Sequence, residues 1–185
     1  IIVSKSESKT IHIIDFGLSF CLDDCFDSNH KLKMDYLKII FFPDFNFYLW
    51  PFEHHLMGYM VRYERKPSQK ELFHMIQKYY TNPQNILFAN HSKINQYIEH
   101  VYHYFAKKYI HSSRPIEEDI EDILINASFT WDLHSFSYVL LRILKSLKNN
   151  DQYQSAMEIL FGALHYNYEK RPSIFVHQEN IYDLK

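Results

Sequence analysis

IHIIDFGLSF, residues 11–20, joins a short β-rich run to the triplet Asp15-Phe16-Gly17. The 185 residues contain only 3 glycines, so a glycine directly after an acidic and an aromatic residue is informative. Glycine lets the backbone turn without a Cβ clash, and Mg²⁺ prefers oxygen ligands such as a carboxylate. The triplet is therefore a candidate metal-binding turn. The alternative is an ordinary turn carboxylate that follows a strand.

The segments on either side of the triplet predict little helix. Residues 1–3 and 11–14 are β-rich and enclose a polar stretch, which predicts a hairpin whose second strand delivers Asp15. Residues 18–50 have no sustained period and carry several Asp, Asn and Pro turn signals. They predict a long irregular segment with a short helix over 31–41.

Helical patterns dominate the rest of the chain. Ser68-Gln69-Lys70-Glu71 is a capping box, in which the Ser hydroxyl and the Glu carboxylate satisfy exposed backbone N–H groups. It predicts a helix that runs to about Tyr80. Apolar residues three and four positions apart predict another helix over 92–109. Further helices over 116–125 and 153–165 make the predicted fold class mainly α.

The longest predicted helix covers residues 130–147 and is apolar around most of its circumference. A helix that is apolar all round is typically buried, so this segment predicts a buried central helix. Its first turn nevertheless carries Asp132 and Ser135, whose polar groups need partners in such a place.

Composition and charge restrict the function classes. Hydrophobic residues make up 46% of the chain, which is enough for a packed core in one domain. The formal net charge of -2 argues against a nucleic-acid binder that works by bulk charge. Cys21 and Cys25 are the only cysteines, which favours a reduced, intracellular protein. No apolar stretch approaches the roughly 18 residues that a membrane span needs.

Histidine pairs are further candidate ligands. His54 and His55 are adjacent, and His100 and His103 lie three apart on one predicted helix. Zinc sites usually need three or four convergent ligands at fixed spacing, and the sequence shows no such signature. Metal binding by histidine is therefore a minor alternative to incidental histidines.

Four motifs, in chain order, resemble the C-terminal lobe of the protein kinase family, of the Ser/Thr type. They are the strand and triplet at 13–19, the A-P-E-like stretch at 50–53, the D-x-x-S-x-G-like stretch at 131–137, and the R-P-S element at 163–173. Phe52 and Ser137 replace the family's usual Pro and Gly. Residues 60–125 have no counterpart, and within a partial kinase domain over 1–185 they are predicted to be a helical insertion. The bias toward Ile, Asn and Lys is compatible with an AT-rich genome, such as that of a large DNA virus.

The resemblance implies roles for particular residues. Asp15 would hold the Mg²⁺ that bridges the ATP phosphates, and the two residues after it would form the rest of the turn. Glu53 and Arg171 would form a buried ion pair that ties the activation segment to the late helices. Asp132 would hold the backbone of the catalytic loop.

No catalytic residue is assigned to this chain. In the family the glycine-rich loop, the strand lysine, its glutamate partner and the H-R-D aspartate all precede the triplet, and too few residues precede Asp15 to contain them. The resemblance implies a piece, inactive alone, of a cytoplasmic enzyme that transfers the ATP γ-phosphoryl to Ser or Thr of a protein substrate. Two alternatives stay open: a non-catalytic, kinase-like binding or scaffold module, and a helical domain unrelated to kinases.

Overall fold

The structure, a computed structural model, describes residues 2–3, 11–12, 20–45, 47, 49–83, 85, 93–144 and 151–172. Side chains are described in the same ranges except at 2–3, 11–12, 144 and 151–155. Across these ranges the fold is mainly α, as the sequence predicts. The α-helices are α1 (Met34–Ile40), α2 (Phe52–Tyr63), α3 (Gln69–Tyr80), α4 (Ile94–Phe105), α5 (Ile116–Asp122), α6 (Trp131–Leu144) and α7 (Asp151–Ala163).

Two short strands lie near the beginning of the chain. β1 (Ile2–Val3) and β2 (Ile11–His12) pair antiparallel, with Ile2 opposite His12. The connection between them lies outside the described residues, so the complete hairpin stays a prediction. The segment predicted to be irregular contains a 3₁₀ helix at Leu22–Cys25 and then α1, which falls within the helix predicted over 31–41.

α3 begins where its capping box places it, so this prediction is confirmed. The Ser68 hydroxyl accepts a hydrogen bond from the Glu71 N–H at 3.3 Å, and the Glu71 carboxylate accepts one from the Ser68 N–H at 2.8 Å. Arg65 and Tyr59 also donate to this carboxylate, at 2.6 and 2.8 Å. These contacts lower the pKa of Glu71, with the Arg65 hydrogen bond as the main cause.

α2 is the most buried helix of the described core, and every residue from Phe52 to Val61 is buried. A close backbone contact explains why Gly58 lies within it. A Cβ at this position would lie 2.9 Å from the Phe42 carbonyl carbon, so the segment after α1 packs directly on the helix backbone. α2 could not be predicted from the sequence, because a run with no polar face has no readable helical period.

α6 is not the all-round buried helix that the sequence predicts. Trp131, Tyr138 and Leu141 face the core, whereas Phe136 and Val139 on the opposite face are each 40% exposed. α6 packs mainly against α7 and has one open face. The apolar residues around α6 therefore form two faces, one packed in the core and one exposed.

The helices within residues 60–125 belong to the same core as α2. α3 packs on α4, and α5 packs on α2. Leu72, Val101 and Ile120 are fully buried in the cluster that contains α2. α4 and α5 each continue as a π-helical segment, at Ala106–Ile110 and Ile123–Ala127. In the part of the chain that the structure describes, no helix combines the length and the apolar character needed to cross a membrane.

Candidate functional site

A buried ion pair joins the beginning of α2 to the end of the described chain. Glu53, in the first turn of α2, is 0% exposed, and Arg171, after the 3₁₀ helix Tyr168–Lys170, is 7% exposed. Two parallel hydrogen bonds connect the guanidinium to the carboxylate, at 2.5 and 3.0 Å. The structure thus brings together the two residues that the sequence analysis pairs.

Two further donors of Arg171 are also satisfied. Its Nε donates to the His165 carbonyl at 2.7 Å, and a terminal nitrogen donates to the Thr130 hydroxyl at 2.9 Å. Burial opposes the charge of Arg171, but the adjacent Glu53 carboxylate raises its pKa above the ordinary value. The pair therefore holds α2, the turn before α6 and the loop after α7 at one point. Additional hydrogen bonds of this kind help to offset the cost of burying the two charges.

Asp132 lies in the first turn of α6 and is exposed. It forms no ion pair with the side chains that the structure describes. Its neighbour Ser135 donates to the Leu49 carbonyl at 2.9 Å, so that polar group has the partner that the sequence analysis requires. The Asp132 carboxylate is instead available to a ligand or to another chain segment.

Asp132 lies on the wall of a cleft of about 920 Å³. The wall is largely aromatic and includes Phe20, Phe41, Phe42, Trp50, Phe129 and Trp131. Phe20 packs edge-on against Phe41, with ring centroids 5.0 Å apart. The cleft thus places an exposed carboxylate next to aromatic side chains.

Asp15, Phe16 and Gly17 lie outside the described residues, so their predicted metal-binding turn stays a prediction. Among the residues that are described, no three or more His, Cys, Asp or Glu side chains converge as a metal site. His54 and His55, considered as candidate ligands in the sequence, are instead buried in α2.

The buried histidines belong to an aromatic cluster. The His54 ring lies 4.2 Å from the Trp50 ring and 4.8 Å from the Trp131 ring. His55 contacts the Phe47 carbonyl through Nε2 at 3.0 Å, and His134 contacts the Leu49 carbonyl through Nδ1 at 3.2 Å. Burial lowers the pKa of His54 and His134 well below the ordinary value and that of His55 to about 4.

A second buried charge cluster was not found from the sequence. Asp119 of α5 is 0% exposed and pairs with Lys66 at 2.7 Å and Arg114 at 2.8 Å. Lys66 also donates to the Tyr109 carbonyl at 2.9 Å. Burial raises the pKa of Asp119, although the two cations oppose that shift. These contacts attach the loop that precedes α3 to helix α5. The role of this charge cluster is therefore structural.

A tyrosine network links the same helices to the R-P element. The Asp122 carboxylate accepts hydrogen bonds from Tyr109 at 3.0 Å and from Tyr168 at 2.8 Å. Lys108 donates to the Tyr168 hydroxyl at 2.5 Å and to Glu169 at 2.7 Å. Burial would raise the pKa of Asp122, but the Tyr168 hydrogen bond and the charge of Lys108 lower it overall. The network is composed of satisfied groups and therefore stabilises the fold.

The buried charges of the described core are thus mutually paired, and Asp132 lies exposed on the wall of the cleft. Comparison of the chain with family models, with curated proteins and with solved structures finds no match.

Proposed function

We propose that the chain is the C-lobe part of a Ser/Thr-type protein kinase. Its intact form would transfer the ATP γ-phosphoryl to a protein hydroxyl once an N-lobe and a catalytic loop are present. The observation that supports this most strongly is the Glu53–Arg171 pair. It joins an A-P-E-like stretch to an R-P-S element, two motifs separated by 118 positions, with the bidentate geometry that the resemblance implies.

The position of Asp132 also supports the proposal. In the resemblance this carboxylate holds the backbone of the catalytic loop, and here it is exposed at the edge of a cleft with aromatic walls. A loop placed in the cleft could donate backbone N–H groups to the carboxylate, as charge-assisted hydrogen bonds.

In this proposal ATP and Mg²⁺ are the cofactors, and Asp15 is the metal ligand that the chain contributes. Mg²⁺ neutralises charge on the transferring phosphoryl group, and its octahedral shell takes most of its oxygens from water and phosphate. One protein carboxylate is therefore a chemically suitable contribution. Phe16 and Gly17 would set the turn that presents it.

We also propose that the protein works in a reducing compartment, the cytoplasm. Cys21 and Cys25 are both free thiols. Burial raises the pKa of Cys25 to about 11, which keeps this thiol protonated and unreactive at neutral pH.

The test begins with the coding DNA upstream of Ile1. An open frame that encodes an H-R-D-x-x-x-x-N motif directly before Ile1 is expected. The longer product should phosphorylate a protein substrate in the presence of Mg²⁺, and Asp15→Asn should remove that activity. Asp24→Asn, at an exposed position nine residues later in the sequence, is the matched control and should retain that activity. A start codon at residue 1, or phosphotransfer by the 185-residue chain alone, would contradict the proposal.

The open apolar face of α6 favours a second candidate, a non-catalytic binding module with a kinase-like helical lobe. Such a module would bind a partner through that face without ATP. The two candidates differ in whether the longer product transfers phosphate.

A further inference from the structure

Three buried histidines lie against one partly exposed stretch of chain that precedes α2. His54 and His55 of α2 are 4% and 0% exposed, and His134 of α6 is 5% exposed. Each of these rings contacts a residue of that stretch, and the contacting residues are themselves only partly buried. These residues, the histidine cover, are Phe47, Leu49 and Trp50.

Two of the contacts are made to backbone carbonyls of the histidine cover. His55 Nε2 lies 3.0 Å from the Phe47 carbonyl oxygen, and His134 Nδ1 lies 3.2 Å from the Leu49 carbonyl oxygen. A carbonyl oxygen only accepts hydrogen bonds, so both ring nitrogens are donors. In the neutral rings these nitrogens carry the single N–H. A further proton must therefore go to Nδ1 of His55 or to Nε2 of His134.

The closed arrangement resists such a proton. Nδ1 of His55 is buried and has no hydrogen-bond partner among the described residues, and the same holds for Nδ1 of His54. A proton on His55 Nδ1 would create a buried charge and an unpaired donor, and both are costly. At His134 the Arg171 guanidinium opposes a further positive charge. A charge on His55 would also oppose one on either of the other two rings.

The other ionisable groups around the rings do not reverse this balance. Asp44, which precedes the histidine cover, favours a proton on His55, but burial has a larger effect and lowers the pKa of that ring to about 4. Tyr79 of α3 packs against the His55 ring with centroids 5.5 Å apart, and burial raises the pKa of its hydroxyl well above the ordinary value. The Glu53 carboxylate is engaged by Arg171. In mild acid the rings therefore gain protons readily only if the cover moves.

Two further hydrogen bonds hold the histidine cover closed. The Ser135 hydroxyl donates to the Leu49 carbonyl at 2.9 Å, and the Tyr79 hydroxyl donates to the Trp50 carbonyl at 2.8 Å. Neither hydroxyl titrates near neutral pH. Water can replace both donors when the cover moves, so their net contribution is modest. The histidines are thus the groups of this contact that respond to mild acid.

We propose that the histidine cover is a pH-sensitive latch, which opens when His54, His55 and His134 take up protons while the helices stay folded. In the open form water reaches the rings, so the ordinary histidine pKa of about 6.5 applies. Each ring then favours opening by up to about 10-fold per pH unit, which makes the combined response steep. Trp50 also lines the cleft, so opening changes the cleft wall. The inference concerns the 185-residue chain and does not rest on phosphotransfer.

The first test follows Trp50 in the Trp131→Phe variant, where it is the only tryptophan. Acrylamide should quench its fluorescence at least about twofold more strongly at pH 5.5 than at pH 7.5, because local opening exposes the ring. Far-UV circular dichroism of the same samples should not change, because the helices stay folded.

A double variant, His55→Gln with His134→Asn, separates the protons from the contacts. Gln Nε2 and Asn Nδ2 place donors where His55 and His134 use Nε2 and Nδ1, and neither amide titrates. In the Trp131→Phe background the rise in quenching should move at least about one pH unit lower. The matched control is His100→Gln, at an exposed position of α4, which should leave the rise where it was.

A second measurement uses the unchanged chain and does not depend on folding of the variants used for fluorescence. In NMR spectra with ¹³C-labelled histidine rings, assigned by single substitutions, the three buried rings should titrate at one shared midpoint. Their Hill slope should exceed about one, because a single opening exposes all three. His100 should titrate separately.

Three results would overturn the proposal. Equal quenching of Trp50 at both pH values would show that the cover stays closed. A loss of helical circular dichroism at the same pH as the rise in quenching would show global unfolding. A double variant with an unchanged midpoint would mean that His55 and His134 do not drive opening. None of these results would affect the kinase proposal, whose test is phosphotransfer by the longer product.

Discussion

Glu53 and Arg171 are both buried, so removing one charge leaves the other without its partner. Glu53→Gln would leave the guanidinium with neutral acceptors only. We expect the free energy of unfolding to fall by about 3–5 kcal/mol, as for other broken buried pairs. Urea denaturation followed by circular dichroism measures this loss.

The control for this variant is Glu64→Gln. Glu64 pairs with Lys38, but its side chain is 62% exposed, and exposed pairs contribute about 1 kcal/mol at most. If both variants lost an equally small amount of unfolding free energy, the Glu53–Arg171 contact would not be what holds the loop after α7 in place.

The buried histidines should make the protein less stable in mild acid. Burial lowers the pKa of His54 and His134 well below the ordinary value and that of His55 to about 4. Below the ordinary histidine pKa of about 6.5 the unfolded chain therefore binds more protons than the folded chain. The contribution of the neutral, buried histidines to the free energy of unfolding is complete above about pH 7. It falls toward pH 4, by up to about 1.4 kcal/mol per pH unit for each histidine.

His54→Phe tests this pH dependence, because Phe keeps an aromatic ring beside Trp50 and Trp131 and removes the titrating group. The difference in unfolding free energy between pH 7.5 and pH 5.0 should become smaller. His100→Gln, at an exposed position of α4, should retain the full difference. The carboxyl groups of Glu71 and Asp122 have lowered pKa values and titrate below this range. If His54→Phe left this difference in unfolding free energy unchanged, His54 would not be a source of the acid sensitivity.

At the scale of elements, two helical glycines should respond in opposite directions to alanine. Gly58→Ala places a Cβ 2.9 Å from the Phe42 backbone, and the resulting overpacking should cost about 1–3 kcal/mol. The nearest atom to a Cβ at Gly162 of α7 is Cδ of Pro172, at 3.9 Å. Gly162→Ala should therefore stabilise by about 0.5–1 kcal/mol through helix propensity alone. Thermal unfolding of both variants measures the signs, and a Gly58→Ala variant as stable as the unchanged chain, or more stable, would contradict the close approach at Gly58.

An element can be predicted from the sequence when neighbouring residues determine it, and not when distant packing does. The start of α3 is set by four adjacent residues, Ser68 to Glu71, so it can be predicted. α2 is not predicted because burial on all sides removes its period. α6 is predicted to be fully buried because apolar residues on its core side and on its exposed side give the same residue pattern as a buried helix.

At the scale of the whole molecule, some contacts of the candidate site could be predicted from the sequence and others could not. Glu53 and Arg171 could be paired from the sequence because each belongs to a short motif with a known resemblance. The contacts of Asp119 and Asp122 could not be predicted, because they arise from the packing of distant helices and loops that no local pattern encodes. The open state of Asp132 also follows only from three-dimensional packing.

The tyrosine network leads to a prediction about cooperativity. Asp122 joins α5 to Tyr168 of the R-P element, and α5 packs on α2. The helices of residues 60–125 should therefore unfold together with the rest of the core in one transition. Asp122→Asn should cost about 1.5–3 kcal/mol, because its hydrogen bonds are made to a charged group.

Two probes of urea unfolding test whether the loss of stability in Asp122→Asn affects the whole core or only residues 60–125. Trp50 and Trp131, the only two tryptophans, report on the aromatic cluster by fluorescence, and circular dichroism reports on all helices. Both midpoints should shift equally in Asp122→Asn, because one packed core transmits the loss to α2. Glu118→Gln, an exposed acid on the same helix, should shift neither. A shift seen by circular dichroism alone would mean that residues 60–125 unfold as an independent unit.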